Sequence, residues 1–376
     1  MNDSTYGRNN ILNSGGNNYL DEKPKGICVA LVSPGKTIKF AGSSPDDFIS
    51  SIRGSVLSWV NFAIDDLRQE GNEIAVKFGF TDSLVSTLLS GYYATFEDRG
   101  TEMGIMLPAV RAEGLELKVY PLIILIRDGL ILTMHSKEVA RLVVFARYAD
   151  GFLKKLPESA SPQDKLTLML IRIIDESNSR NFEHLREIEE LGDKLSETLV
   201  DPKSPRMAIG RQIYEIKHAL ITYLNTLWRT LDVLHSLRYG DADLITDNPK
   251  VLSRIGLLAD EVNRQIELSE HMSEVLASGL EVLQSLYNNQ LQILNNRMAL
   301  VMTWLTILGT AVLVPNTLAT IFSFAFGLES KLLLWSILIL VISTINATFL
   351  AYWWVRRRVI ITAIPDESDK RRSIIH

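Results

Sequence analysis

Apolar and polar positions follow three rhythms along this chain. From Gly26, short apolar runs alternate with turn signals: ICVALV stands before Ser33-Pro34-Gly35, TIKFAG follows, and SVLSWVNFAI ends at Asp65-Asp66. In PLIILIRDGLILTMHS two such runs flank Asp128-Gly129, a dipeptide favoured in tight hairpin turns. The segments EIAVKFGF, DSLVSTLLSGYYATFE and KEVARLVVFARYADGFLKKL read as helical or mixed. Residues 26–156 are therefore expected to form an α/β domain. Residues 1–25, rich in Asn, Gly and Ser, read as a flexible tail.

The second rhythm starts beyond the segment PESASP that begins at Pro157. Apolar residues recur at spacings of three and four, laced with opposite charges, until Pro202 and Pro205. A second helix is expected over roughly 207–238 and a polar break at 240–249. A third helix begins near Val251 and meets no Pro before Pro315. At 1.5 Å per residue it would be on the order of 100 Å long. A helix of that length needs partners, so packing against the other two and self-association are both expected. Residues 157–298 read as a helical stalk.

The third rhythm is continuous apolarity. Residues 299–326 and 332–355 hold no charged side chain and are separated only by 327–331. Each is long enough for a bilayer core of about 30 Å, which needs roughly 20 helical residues. The pattern predicts a transmembrane hairpin with nearly 300 residues on its N-terminal side. A basic tail, 356–376, opens with Arg356, Arg357 and Arg358. By the positive-inside tendency the C-terminus is cytoplasmic, and two spans return the chain to the side it left. Both termini are then expected in the cytoplasm, at the inner cell membrane. Arg297 before the first span agrees. The single cysteine, Cys28, fits a reducing compartment, and the N-terminal residues hold no apolar stretch of signal-peptide type.

The net charge of -5 argues against a nucleic-acid partner. The long helix carries a polar seam instead: Asp260, Glu267, Glu274, Glu281, Asn288 and Asn295 stand seven apart. The same step continues through Met302, Gly309, Asn316 and Ser323. A strict heptad stays on one side only if helices supercoil. Several copies gathered around an axis would make an acidic vestibule, an amide-lined neck and a small-residue membrane pore. An ordinary solvated stalk face is the plainer reading of the acidic half. Asn316 in hydrocarbon is expected to turn toward a cavity or neighbouring helix. The expected pore lining is Met302, Leu305, Gly309, Asn316, Thr320 and Phe324.

The run LQSLYNNQLQILNNRMALVMTWLTILGTAVLVPNTLATIF resembles the stalk-to-pore segment of the CorA metal-ion transporter superfamily, ZntB-like members included. Met302, Leu305-Thr306 and Pro315 fall where that family has its stalk methionine, its Leu-Thr pair and its mid-span proline. WVNFAIDD, TLLSGYYATFEDRG and LIRDGLILTMHS resemble its cytoplasmic domain. The resemblance implies a CorA-like fold: an α/β domain, long stalk helices and a two-helix hairpin, assembled as a homopentamer in the bilayer. It implies transport of magnesium, cobalt or zinc, with Mg2+ or Zn2+ as transported or regulatory ion. At the outer end of the first span the family carries Gly-x-Asn. This chain has Ser323-Phe324-Ala325-Phe326-Gly327 there, a departure that leaves open an atypical channel for monovalent ions or anions, or a non-transporting scaffold. Phe326, Glu329 and Lys331 are the candidates for the outer mouth.

No paired cysteines, HExxH, Walker loop or G-x-S-x-G elbow occurs, so an enzyme is not expected. Hard cations prefer oxygen ligands; Asp260 and Glu267 are the nearest candidates for a regulatory metal.

Overall fold

A computed structural model describes residues 25–91, 95–200, 205–239, 242–326 and 333–363. Seven strands form one mixed sheet: β1 (Gly26–Ser33), β2 (Lys36–Gly42), β3 (Leu57–Ile64), β4 (Thr95–Asp98), β5 (Glu102–Glu113), β6 (Glu116–Arg127) and β7 (Leu130–Ser136). Their spatial order is β2-β1-β3-β7-β6-β5-β4. Only β3 and β7 run parallel, with Trp59 opposite Ile131. The Asp128-Gly129 turn joins β6 to β7, with Gly129 at φ +68°, a value that favours glycine. The two longest strands, β5 and β6, pair across Gly114 at φ +64°. The sequence analysis did not separate β5, because EMGIMLPAVRAE mixes its apolar positions without clean alternation.

Strand alternation gives the sheet two buried faces. On one, Val60, Phe62, Ile123, Leu125, Leu132 and Met134 form a core with three helices: α1 (Asp46–Ile52), α2 (Leu67–Lys77) and α3 (Ser83–Ser90). The Asp66 side chain starts α2 by accepting hydrogen bonds from the backbone N–H groups of Arg68 and Gln69. On the other face Trp59 lies 5.0 Å from the ring of Phe145 in α4 (Ala140–Phe145), and its indole N–H donates to Thr133 Oγ1 at 3.0 Å. Beside them His135 is buried, and burial holds its imidazole below the usual range.

The second face is closed by α5 (Ala149–Lys154), α6 (Pro162–Val200) and α7 (Arg206–Arg238); α8 (Pro249–Phe326) follows them. Ile255, Val262, Ile266, Met272 and Leu276 of α8 are buried. The chain divides into two compact units, one reaching Leu280 and one starting at Glu281. The expected boundary between domain and stalk at residue 157 thus lies inside the first unit. The physical reason is contact with the sheet: α6 and α7 lie against β5, β6 and β7 and supply part of its core. The second unit holds the rest of α8 and α9 (Leu333–Ala363).

Candidate functional site: an exposed polar face on a membrane helix

Helix α8 passes through Pro315 without a break. Its most apolar 18-residue window is 6 % buried, and that of α9 is 0 % buried. A core helix of a soluble protein would be covered. These two are long, apolar and uncovered, as bilayer-spanning helices are.

Most buried and half-buried positions in the spanning part of α8 fall on one side: Thr303, Ile307, Thr310, Ala311, Val314 and Leu318, with Pro315 toward its edge and Ala319 beyond it. Their spacing of three and four marks one helical face. Of the expected pore-lining residues, Met302 is 63 % and Leu305 66 % exposed, and Phe324 is 96 % exposed. Asn316 and Thr320 are exposed too, and a Cβ added to Gly309 would meet nothing within 4 Å. At about 100° per residue, Met302, Leu305, Gly309, Asn316 and Thr320 lie opposite Ile307. Phe324 lies toward the edge of that face.

Threonine hydroxyls of this span donate to their own helix. Thr306 Oγ1 donates to Met302 O, Thr310 to Thr306 O and Thr320 to Asn316 O, each at 2.8 Å. Their hydrogens are satisfied, and their lone pairs remain available as acceptors. Asn316 differs. Its amide has no hydrogen-bond partner among the described residues, although the helix would carry it into hydrocarbon. In α9 the comparable amide, Asn346, donates to Ile342 O at 3.0 Å.

Asp260, Glu267, Glu274, Glu281, Asn288 and Asn295 are all exposed. Glu267 accepts a hydrogen bond from Asn263 at 2.9 Å, and none of the four acids takes part in an ion pair among the described residues. No group of three metal-ligating side chains forms among the described residues, so Asp260 and Glu267 would need a ligand from elsewhere. The Phe326 side chain, Glu329 and Lys331 lie outside the described residues.

A second row on α8 escaped the sequence analysis. Tyr287, Leu291, Leu294, Met298, Val301, Leu305, Leu308 and Val312 alternate spacings of four and three, and all are exposed large apolar residues. This is the a/d pattern of a coiled-coil seam. It lies beside the polar heptad, one residue away at each second step. The signal was present in the sequence but was masked by the general apolarity of the span.

A family model described as CorA-like Mg2+ transporter protein matches residues 54–357. No curated protein sequence matches. Among solved structures, the complete CorA magnesium transporter from Methanocaldococcus jannaschii is similar at 17 % identity and a TM-score of 0.63, covering 89 % of this chain and 98 % of that one. The full-length CmaX protein is similar at 15 % identity and a TM-score of 0.60, covering 90 % of this chain and 99 % of that one. The ZntB cytoplasmic domain from Vibrio parahaemolyticus gives 14 % identity and a TM-score of 0.51, covering 70 % of this chain and 98 % of that one. These likenesses establish the fold.

Proposed function

The chain belongs to the family of CorA-like Mg2+ transporter proteins, and on that premise we propose that it moves divalent metal cations through a homopentameric pore lined by α8. The observation that carries the reading is Asn316: an amide in an apolar span with no partner among the described residues of its own chain. A polar group in hydrocarbon costs several kcal/mol unless paired or hydrated, on the order of 2–7 kcal/mol for an amide. Gathering α8 from several copies gives it both water and neighbours. The seam from Tyr287 to Val312 supplies the apolar contact that such a bundle needs.

In this arrangement Asn316 and Thr320 offer oxygen ligands to a hydrated cation, which suits a hard divalent ion. Met302 and Leu305 form an apolar constriction that gates by dewetting, and Phe324 a second one. The acids Asp260, Glu267, Glu274 and Glu281 raise the local cation concentration at the inner mouth. Asp260 and Glu267 with a group from a neighbouring copy form a regulatory metal site. Both termini face the cytoplasm, following the arginines at 356–358.

The test is flux into proteoliposomes with magnesium, zinc, potassium and chloride under one protocol, together with native mass spectrometry in detergent. Uptake of magnesium or zinc that falls on Asn316→Leu supports the reading. Chloride current that survives replacement of every cation overturns the cation assignment. A monomer or dimer under all conditions overturns the pore.

A further inference from the structure

A cleft of about 510 Å³ opens beside the end of the β5–β6 hairpin, the β7–α4 turn, and the sides of α6 and α7. It has the size of a small-molecule site. Asn181 and Tyr223, both more than nine-tenths buried, line its floor with His184. His184 is fully committed. Gly114 O lies 2.9 Å from Nε2 and can only accept, so Nε2 carries hydrogen. In the neutral ring Nδ1 then accepts from the Tyr223 hydroxyl at 2.8 Å. Asn181 is half committed. Its Nδ2 donates to Asn178 Oδ1 at 2.7 Å, and its Oδ1 has no partner among the described residues.

Three cations around the cleft are already paired. Arg111 lies 2.8 Å from Glu113, Lys137 2.6 Å from Asp65, and Arg141 3.2 Å from Glu176. The Glu138 carboxyl is held below its usual range, chiefly by its own backbone N–H. Glu138 forms no ion pair among the described residues, and neither do three further charges that line the cleft: Arg180, Glu183 and Glu187. They stand at i, i+3 and i+7 on one face of α6. Opposite charges side by side on a cleft wall, not bonded to each other, match a ligand that brings both signs.

The floor also reaches the membrane helix. Asn178 Nδ2 donates to Gln265 Oε1 of α8 at 3.3 Å. Gln265 is completely buried, and its Nε2 has no partner among the described residues. A buried amide with one end unbonded gains by changing partners, so it is a place where α8 responds to small shifts of α6.

We propose that the cleft binds a small zwitterion, its anionic group against Arg180 and its ammonium against Glu183 and Glu187, and that Asn181 relays occupancy to α8 through Asn178 and Gln265. An α-amino acid spans the nearer pair, and an ω-amino acid reaches Glu187. The binding half stands by itself; the relay to ion flux rests on the transport reading above.

The test uses the full-length protein in detergent and calorimetric titration with L-alanine, L-lysine and γ-aminobutyrate. Acetate and methylamine serve as singly charged controls. At least one zwitterion binds ten-fold or more tighter than either control, and Arg180→Gln and Glu183→Gln each weaken it at least ten-fold with unchanged melting temperature. Binding of no zwitterion, or affinity unmoved by Arg180→Gln, overturns the site. In proteoliposomes the bound zwitterion changes ion flux, and Gln265→Leu abolishes that response while titration still shows binding. A response that persists in Gln265→Leu overturns the relay. Absence of flux from the unmodified protein, with binding intact, sinks the transport reading and the relay with it but leaves the site standing.

Discussion

The unit up to Leu280 and the unit from Glu281 solve the same problem in different solvents. In the first, many buried polar groups find partners within the chain, although Gln265 Nε2 finds none among the described residues. Trp59 bonds Thr133, and Thr246 Oγ1 donates to Asp164 Oδ1 at 2.6 Å, which helps hold the Asp164 carboxyl below its usual range. In the second, nearly every large side chain of the spans is exposed, and the side-chain hydrogen bonds among the described residues return to the same helix. The first unit is complete as one chain. The second leaves long apolar faces uncovered among the described residues, as suits helices that meet lipid. Asn316 marks the difference most sharply, since Asn178 and Asn181 are also amides in helices yet bond each other at 2.7 Å.

The contrast breaks first where the core is removed. Trp59→Ala deletes a fully buried indole and its hydrogen bond, and is expected to cost about 3–5 kcal/mol of unfolding free energy. Chemical denaturation followed by circular dichroism reads it. An equal loss from Trp304→Ala, in the exposed half, would erase the distinction between the units. Next in size is Asn316→Leu. Cation flux is expected to fall at least about ten-fold, the equivalent of about 1.4 kcal/mol in a barrier. Melting of the first unit should not move, and Asn316→Ser should retain part of the flux.

The apolar seam sharpens the comparison. Paired substitution Leu291→Ser and Leu294→Ser leaves a single chain almost untouched, because both side chains are exposed in it. It should shift native mass spectra from oligomer to monomer. A preserved oligomer would assign the contact to another face.

Smaller still is a pH effect confined to the first unit. Burial lowers the His135 pKa below the ordinary imidazole value, so the folded state takes up its proton later than the unfolded state as pH falls. Stability is full above the unfolded value and declines as pH drops through it toward the folded value. Urea titrations at about pH 7.5 and 5.5 should show this loss, and His135→Gln should flatten it. The smallest effect belongs to Thr306→Val. Its hydroxyl serves only its own helix, so stability should change by no more than about 0.5 kcal/mol.

Much of this was legible in the residues alone. Prolines and periodicity placed α6, α7 and α8 within a few residues, because helix stops are local chemistry: Pro202, Pro205 and the polar break after Arg238 act on the backbone where they stand. The two spans were legible because bilayer thickness sets their length. The candidate pore face could be listed by counting, since Gly309 and Asn316 share a heptad. What counting could not give was which groups are already paired. Glu183, Glu187 and Arg180 look no different in sequence from Arg141 and Glu176. Only the packing of α6 against α4 ties the latter two together and leaves the former three open. Likewise, nothing local to residues 157–200 announced that α6 would close one face of the sheet. The sequence by itself determined most of the elements, the two membrane-length spans and the polar heptad of α8, all properties of neighbours along the chain. The tertiary structure decided the strand order, the inclusion of α6 and α7 in the core, and the amide chain from Asn181 to Gln265. Those depend on residues far apart in sequence meeting in a close-packed interior, where partners are fixed by shape and not by spacing.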